Sequence, residues 1–518
     1  MFLLIPGFLS ANAQVTGPVL KAEEFHSYFD EFAAEEKEML GTVPAVQWTW
    51  FAANIPWLDI PDKEMEKTYY FRWYAFQKHL VKTKDGYLIS EFMDDVPWSG
   101  KFNMVDAAAG HHIREARWLR DPEYVEDYTR FWFGPDGEPR RYSFWAADSV
   151  YQVFLSTGNR DFATSLLPSM VSNYEAWEAT HRDVNHIYWQ SDDRDGMEDS
   201  ISGGGYRPTI NSYMAGDAAA ISRIASLAGK EEIASRFRDK EEEQRSFIET
   251  RLWNPKDHFY ETVARPGQGK SSNVRELIGY LPWYFDLAGH GHDEAWRQLS
   301  DPHGFAGKYG PTTAERRNSK FNQPMYHECL WNGPSWPFAT TQTLVALANL
   351  LNSPEQRIMN EKDYFQLLQA YSSSQRIRLS GGKEVPWIDE DLNADTGEWI
   401  ARDILAKRRE QPVNRGRYYN HSGFADLVIT GLIGVRPAEE NSLVVNPLVP
   451  AEQWKFFALD GLPYHGHLLT ILYDYDGMRY HHGTGLSVFC DGLLIAHSEA
   501  LRPISVTLPL RSSASAFR

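Results

Sequence analysis

Apolar side chains recur every three to four positions through most of the chain up to about residue 436, the spacing of helices that bury one face. It predicts amphipathic helices over 23–39, 62–82, 122–133, 143–157, 160–179, 211–228, 231–252, 334–351 and 361–372. Within 160–179, Phe162, Leu166, Leu167, Met170, Val171 and Tyr174 fall on one stripe. Pro61-Asp62 and Asn211-Ser212 supply helix-start chemistry. Helices in pairs, joined by long loops dense in Trp, Pro and acids, fit a toroid of helical hairpins better than a four-helix bundle.

After Pro437 the period shortens to two. Ser442-Leu-Val-Val-Asn, His467-Leu-Leu-Thr-Ile-Leu-Tyr and Leu486-Ser-Val-Phe-Cys read as strands, separated by turn signals at Asp476-Gly477, Gly483 and Asp491-Gly492. The chain therefore divides into a helical domain over 14–436 and a small β-sandwich-like module over 437–518. No Pro/Ser-rich linker lies between them, so the module is expected to pack on the helices.

At 518 residues the chain is long enough for two or three units, and 42% hydrophobic with 24% charged residues is the composition of a folded protein. The net charge of −18 repels nucleic acid and anionic lipid, which disfavours a nucleic-acid role. No apolar run approaches the roughly 20 residues of a membrane span. Aromatic residues make up 14% of the chain, 18 of them Trp, and Trp beside carboxylates is the surface that stacks on sugar rings. With only Cys329 and Cys490, neither a disulfide framework nor a cysteine-based zinc site is available. His481-His482 and His327-x-Cys329 do not have zinc-site spacing with enough partners. Phe2–Leu9, followed by Ala11-Asn12-Ala13, reads as the end of a secretory signal over 1–13 that lacks its basic start, and predicts a periplasmic or secreted bacterial protein.

The densest polar cluster is Gln190-Ser-Asp-Asp-Arg-Asp-Gly-Met-Glu-Asp-Ser200, followed by Gly203-Gly204-Gly205 and Arg207. A carboxylic acid held there near Trp189 and Met197 has its pKa raised, as a general acid at neutral pH requires. The second is Trp387-Ile-Asp-Glu-Asp-Leu-Asn-Ala-Asp-Thr-Gly-Glu-Trp399, with Glu390 between two Trp and a turn from Asn393 to Gly397; its Asp/Asn content also allows a structural calcium. Trp331-Asn-Gly-Pro-Ser-Trp-Pro337 and Tyr418-Tyr-Asn-His-Ser-Gly-Phe-Ala each precede a helix. Phe92-Met-Asp-Asp-Val-Pro-Trp-Ser and Tyr142-Ser-Phe-Trp-Ala-Ala-Asp148 add aromatic–acid pairs.

In this order the loops resemble those of the six-hairpin (α/α)6 toroid glycosidases, above all the mannosylglycerate-hydrolase-like group, glycoside hydrolase family 63 and the family 37 trehalases. Gly196-Met197-Glu198-Asp199-Ser200 is similar to their acid motif, Trp331-Asn332-Gly333-Pro334-Ser335-Trp336 to a sugar-pocket segment, and Glu390–Gly397 to the motif of the base. Asn420-His421-Ser422-Gly423-Phe424 resembles the later segment before a helix. The resemblance spans roughly 70–436 and implies an (α/α)6 toroid and an O-glycosyl hydrolase acting with inversion, Glu198 as acid and Glu390 as base. Inversion needs the two carboxyls roughly 6.5–9.5 Å apart, with water between. Two departures stand out: the acid position holds Glu where the family has Asp, so a one-residue slip makes Asp199 the acid, and Leu392 replaces an aromatic in the base motif. Asp95, Trp98, Trp145, Asp148, Arg207, Trp331, Trp336 and His421 are the expected sugar contacts. The implied partner is a carbohydrate and no cofactor is implied; neither the sugar nor the oligomeric state is written in these motifs.

Three alternatives remain at this level. A phosphorylase on the same toroid would bind phosphate with Arg415, Arg417, His421 and the Ser422-Gly423 backbone. A lyase would use Tyr326-His327, against the wrong net charge. A carbohydrate-binding protein without activity is the third.

Overall fold

The computed structural model describes residues 17–41, 45–267, 273–325, 327–353, 356, 358–410 and 413–509. The signal-like segment 1–13 and Tyr326 lie outside the described residues.

Six helical segments form an inner ring: Ala109–Ala116, Ala146–Thr157, Pro208–Leu227, Leu281–Tyr284, Pro337–Asn352 and Ala425–Leu427. Each packs on the next, and the last returns to the first, so the ring is closed. They are buried on nearly every face; in Pro208–Leu227 even Thr209, Asn211, Ser212 and Asp217 are buried. A second layer includes Glu123–Trp132, Leu167–His181, Glu231–Phe247 and Glu361–Ser374, packed on ring helices. This is the (α/α)6 arrangement.

Buried carboxylates cap the ring helices. Glu115 accepts hydrogen bonds from the amides of Phe424, Ala425 (3.1 Å) and Asp426 (3.2 Å), at the start of the segment opening at Ala425. Asp217 accepts from the amides of Ala147 (2.9 Å) and Asp148 (3.0 Å) at the start of Ala146–Thr157. A carboxylate from one ring helix thus satisfies the free N–H groups of another and fixes their relative height.

The predicted helices appear within a few residues of their expected bounds, with two refinements. The segment 160–179 is split into Arg160–Ser165 and Leu167–His181, because Pro168 opens a new helix. Helix Glu231–Phe247 ends in a π-turn, Ile248–Leu252. Ala109–Ala116 and Ile400–Arg408 lie outside the predicted set. The first is only eight residues long and buried almost all round, with His111 and His112 inside.

The strand signals are realised as Ser442–Val445, His467–Asp474 and Gly485–Cys490. Two antiparallel sheets result. One runs Trp57–Asp59, Phe456–Tyr464, His467–Asp474, Gly485–Cys490, Leu493–Ser498, and the other Ile504–Thr507, Ser442–Val445, Val435–Pro437. The boundary drawn at 437 is crossed in both, for Trp57 pairs with Asp460, Leu58 with Leu459 and Asp59 with Ala458. Asp59 then accepts from Arg479 (2.9 Å) and Tyr480 (2.8 Å). Three residues are too few to show a period, which is why the early strand escapes a sequence pattern.

Candidate active site

The loops that lead into the ring helices meet over one mouth of the barrel. Four pairs of contacts stitch them. The amide of Asn420 donates to the carbonyl of Glu91 (3.1 Å), and that of Trp331 to the carbonyl of Glu198 (3.1 Å). Ser335 and Leu392 exchange two backbone hydrogen bonds of 2.9 Å, and Arg415 grips Glu390. They enclose a cavity of about 300 Å³ lined by Glu91, Trp98, Tyr142, Glu198, Cys329, Trp331, Trp336, Glu390, Arg415, Tyr419 and His421, among others.

Glu198 is presented by a loop whose base is closed by paired backbone hydrogen bonds of 2.9 Å between Gln190 and Gly205. A Cβ at Gly205 would run into the Val263 carbonyl, so the close approach requires glycine. Arg207, wholly buried, braces the loop from beneath: it donates to Asp195 (2.5 Å), to the Gly203 carbonyl (2.5 Å) and to Ser200 and Ser202 (3.3 Å each). Burial pushes the Glu198 carboxyl up to about 7, and the charges of Asp193, Glu390 and Asp192 add to the rise.

Glu390 is held from two sides. Arg415 donates to it through Nε (2.6 Å) and Nη2 (3.2 Å), and the Cys329 thiol donates to Oε2 (2.9 Å). Arg415 also meets Glu328 at 2.7 Å and lies over the Trp98 ring at 4.8 Å. Burial disfavours the guanidinium's charge, but Glu390, Cys329 and Glu328 outweigh it and hold the cation firmly protonated. Burial, with Glu390 and Glu198 nearby, keeps the Cys329 thiol well above its ordinary range. Gly416 is required here because a Cβ would strike the Asp389 carboxylate and press on Glu390.

One wall is aromatic. Trp331 and Trp336 stack at 4.7 Å between centroids, and the buried Trp331 Nε1 has no partner. His421 stacks on Tyr419 at 3.9 Å; burial drops its pKa to about 3, so the ring is neutral, and its buried Nε2 is also unpartnered. A flat stacked face with a few unsatisfied donors and acceptors is a surface for a sugar ring.

The sequence pattern of the mannosylglycerate hydrolase MGH1-like glycoside hydrolase domain matches residues 101–422, well over half of the chain. The chain belongs to this family. The C-terminal domain of glycosyl hydrolase family 65 matches residues 435–496. A solved structure named a sialidase is similar at 40% identity with a TM-score of 0.87, covering 94% of this chain and 45% of that one. The present chain therefore spans less than half of that neighbour. The family 63 mannosylglycerate hydrolase from Thermus thermophilus, in complex with Tris and D-glycerate, is 12% identical with a TM-score of 0.51, over 70% of this chain and 100% of that one. The family 78 rhamnosidase of Bacillus sp. GL1 is also 12% identical at a TM-score of 0.51, over 81% of this chain and 40% of that one. These last two share the fold.

Of the residues read from sequence, Glu198, Glu390, Trp98, Trp331, Trp336 and His421 line the cavity. Asp199 does not; it adopts φ 59° and turns its Oδ2 into a buried site without a partner. Four expected sugar contacts lie elsewhere. Asp95 is exposed, on the same loop as Trp98 but off the cavity. Trp145 is wholly buried in the core, against Tyr213 and His111. Asp148 lines a separate cavity of about 230 Å³ with Arg114, 3.8 Å away. Arg207 braces the Glu198 loop, as described. All four sit in segments dense in aromatic and charged residues, a pattern that does not tell lining from packing.

Glu91 and Cys329 line the cavity although no motif gives them a role there, and Tyr419 does so from the Tyr418–Ala425 segment. The one signal for Glu91 is its place two residues after the buried strand end Leu88-Ile89. In the 387–399 turn, Asp395 is paired with Arg316 (2.7 Å), Asp389 accepts from Trp387 Nε1 (3.1 Å), and Asp391 accepts from the Ala401 amide (3.1 Å). Asp391 Oδ2 is buried without a partner. His327, Glu328 and Cys329 do bring three ligand-type atoms within 4.8 Å of one another, but the Arg415 guanidinium already supplies the cation there.

Proposed function

We propose that the chain hydrolyses the glycosidic bond of an uncharged glycoside with inversion, Glu198 protonating the leaving oxygen and Glu390 activating water. One observation carries this reading: two carboxyls in one cavity sit in opposite environments. Glu198 is raised towards neutrality by burial, while Glu390 accepts two hydrogen bonds from the Arg415 guanidinium. The stacked Trp331 and Trp336 supply a face for the sugar.

The charge of the pocket bears on the substrate. Among the described residues lining the cavity, Arg415 is the one guanidinium, and Glu390 and Glu328 already engage it. An acidic sugar would meet carboxylates there, so the sialidase name of one neighbour is not carried over to this chain. The phosphate cradle fares similarly. Arg415 is neutralised, His421 is uncharged, and the buried Ser422 carbonyl accepts from Arg72.

Proton NMR of the anomeric region, with a panel of neutral oligosaccharides and with and without phosphate, tests the proposal. The expected first product is a free reducing sugar of inverted configuration, independent of phosphate. Glu390→Gln and Glu198→Gln are each expected to lower kcat by about a thousandfold while substrate still binds. A retained anomer would remove Glu390 from the role of base, and a sugar phosphate would replace hydrolysis by phosphorolysis.

A further inference from the structure

Glu91 is a third acid in the cavity, and the two-carboxylate reaction leaves it without a task. Its backbone is pinned on both sides, its amide donating to the Asn103 carbonyl (3.1 Å) and its carbonyl accepting from Asn420. The residue is 3% exposed. Tyr419 donates to Oε1 at 2.7 Å, whereas Oε2 is buried without any partner.

The groups that face it come from every loop around the mouth. Asp106 approaches from the turn before Ala109–Ala116, Tyr128 from Glu123–Trp132, Tyr142 from the next loop, Glu198 from the 190s loop and Glu390 from the 387–399 loop. Cys329, a neutral thiol, and His421, a neutral ring, complete the lining with His327, Glu328 and Arg415. Arg415 is the one guanidinium among them and is taken up by Glu390 and Glu328. No free cation among these groups draws the Glu91 proton away. Burial, then the charges of Asp106, Glu390 and Glu198, raise its carboxyl to about 8 against the pull of the Tyr419 hydrogen bond.

We propose that Glu91 is a specificity-determining residue that works as a neutral acid: Tyr419 fixes Oε1, and the Oε2–H donates to a hydroxyl oxygen of an uncharged sugar held against the Trp331–Trp336 wall. The inference rests on the hydrolase reading above for its ligand. Its chemistry is the donation of a hydrogen bond from a buried carboxylic acid, which an ionised carboxylate cannot make. Deprotonation withdraws the donor and adds a negative charge, so affinity for the sugar falls as pH rises through the Glu91 value. Gln at this position keeps the geometry, with its carbonyl accepting from Tyr419 and its NH2 donating in place of the O–H.

Two measurements test it. The first is calorimetric binding of methyl α-D-mannoside, methyl α-D-glucoside, L-rhamnose and intact neutral oligosaccharides in the Glu198→Gln background, which removes the titration of Glu198. Affinity is expected to fall about tenfold between pH 7 and pH 9, the fall set by one proton lost near 8. Adding Glu91→Gln should flatten that profile, and adding Glu91→Ala should weaken binding about tenfold at pH 6.5. A profile unchanged by Glu91→Gln overturns the proposal.

The second measurement needs no ligand. The infrared difference between wild type and Glu91→Gln should contain a protonated-carboxyl C=O band at pH 6 that disappears near pH 8. A band already lost near pH 4.5 overturns the proposal even if no sugar in the panel binds. The two readings fail separately. Binding with the expected profile but no released reducing sugar sinks the hydrolase alone, and turnover indifferent to Glu91 sinks this inference alone.

Discussion

In the proposed reaction, the protonation of Glu198 sets the upper pH limit. Its carboxyl, raised by burial to about 7, is a proton donor below that value and an anion above it. For a general acid the sign is fixed: kcat/KM is level on the acid side of this limb and falls about tenfold per pH unit above about 7. A kcat/KM profile that stays flat to pH 9 would exclude Glu198 as the donor. At this scale the sequence is partly legible. Glu198 stands in a run of acids beside Trp189 and Met197, and Trp331 and Trp336 are bracketed by Pro, so type and spacing single them out. Glu91 and Cys329 carry no such mark, because what brings them to the cavity is contact between loops far apart in the chain. Trp145 and Asp148 show the reverse, a rich local pattern spent on the core.

At the scale of the element, the informative feature is the cap that one ring helix provides for another. Glu115 satisfies three amides at the start of the segment opening at Ala425, directly after the loop that carries Tyr419 and His421. Glu115→Ala would leave those buried donors unpaired and is expected to cost about 3 kcal/mol. Differential scanning calorimetry should show a Tm lowered by several degrees, and an unchanged melt would mean that the amides find other partners. Outer helices such as Glu231–Phe247 are legible because one face meets water and the period shows. Inner ones such as Pro208–Leu227 and Pro337–Asn352 show it as well, whereas Ala109–Ala116, at eight residues, is too short for a period to stand out. The strands after 437 are legible for the opposite reason, since alternation and glycine turns survive in short segments.

For the whole molecule, the pairing of Trp57–Asp59 with Phe456–Tyr464 joins the two ends of the chain into one structure. Leu58 is fully buried there, and Arg120 ties the helical domain to the sheet through the Gly461 carbonyl (3.1 Å). A chain cut after residue 436 would expose that strand as an unpaired apolar edge. It is expected to lose soluble yield and turnover together, as judged by size-exclusion chromatography and reducing-sugar release. Leu58→Asp in the full chain should do the same more mildly, at a cost of about 3 kcal/mol or more. A monodisperse, active 1–436 fragment would show that the barrel stands alone.

The same pairing imposes an order of events during synthesis. Residues 57–59 leave the ribosome about 400 positions before their partner strand exists, and at 5–20 residues per second that is a wait of about 20 to 80 s. Helices of the ring can form and dock in that interval because their contacts are local, whereas the edge beside Leu58 stays open to any passing strand. The newborn chain is therefore at its most sticky when nearly all of its barrel has been made, and chaperone capture should be strongest just before residues 456–464 emerge.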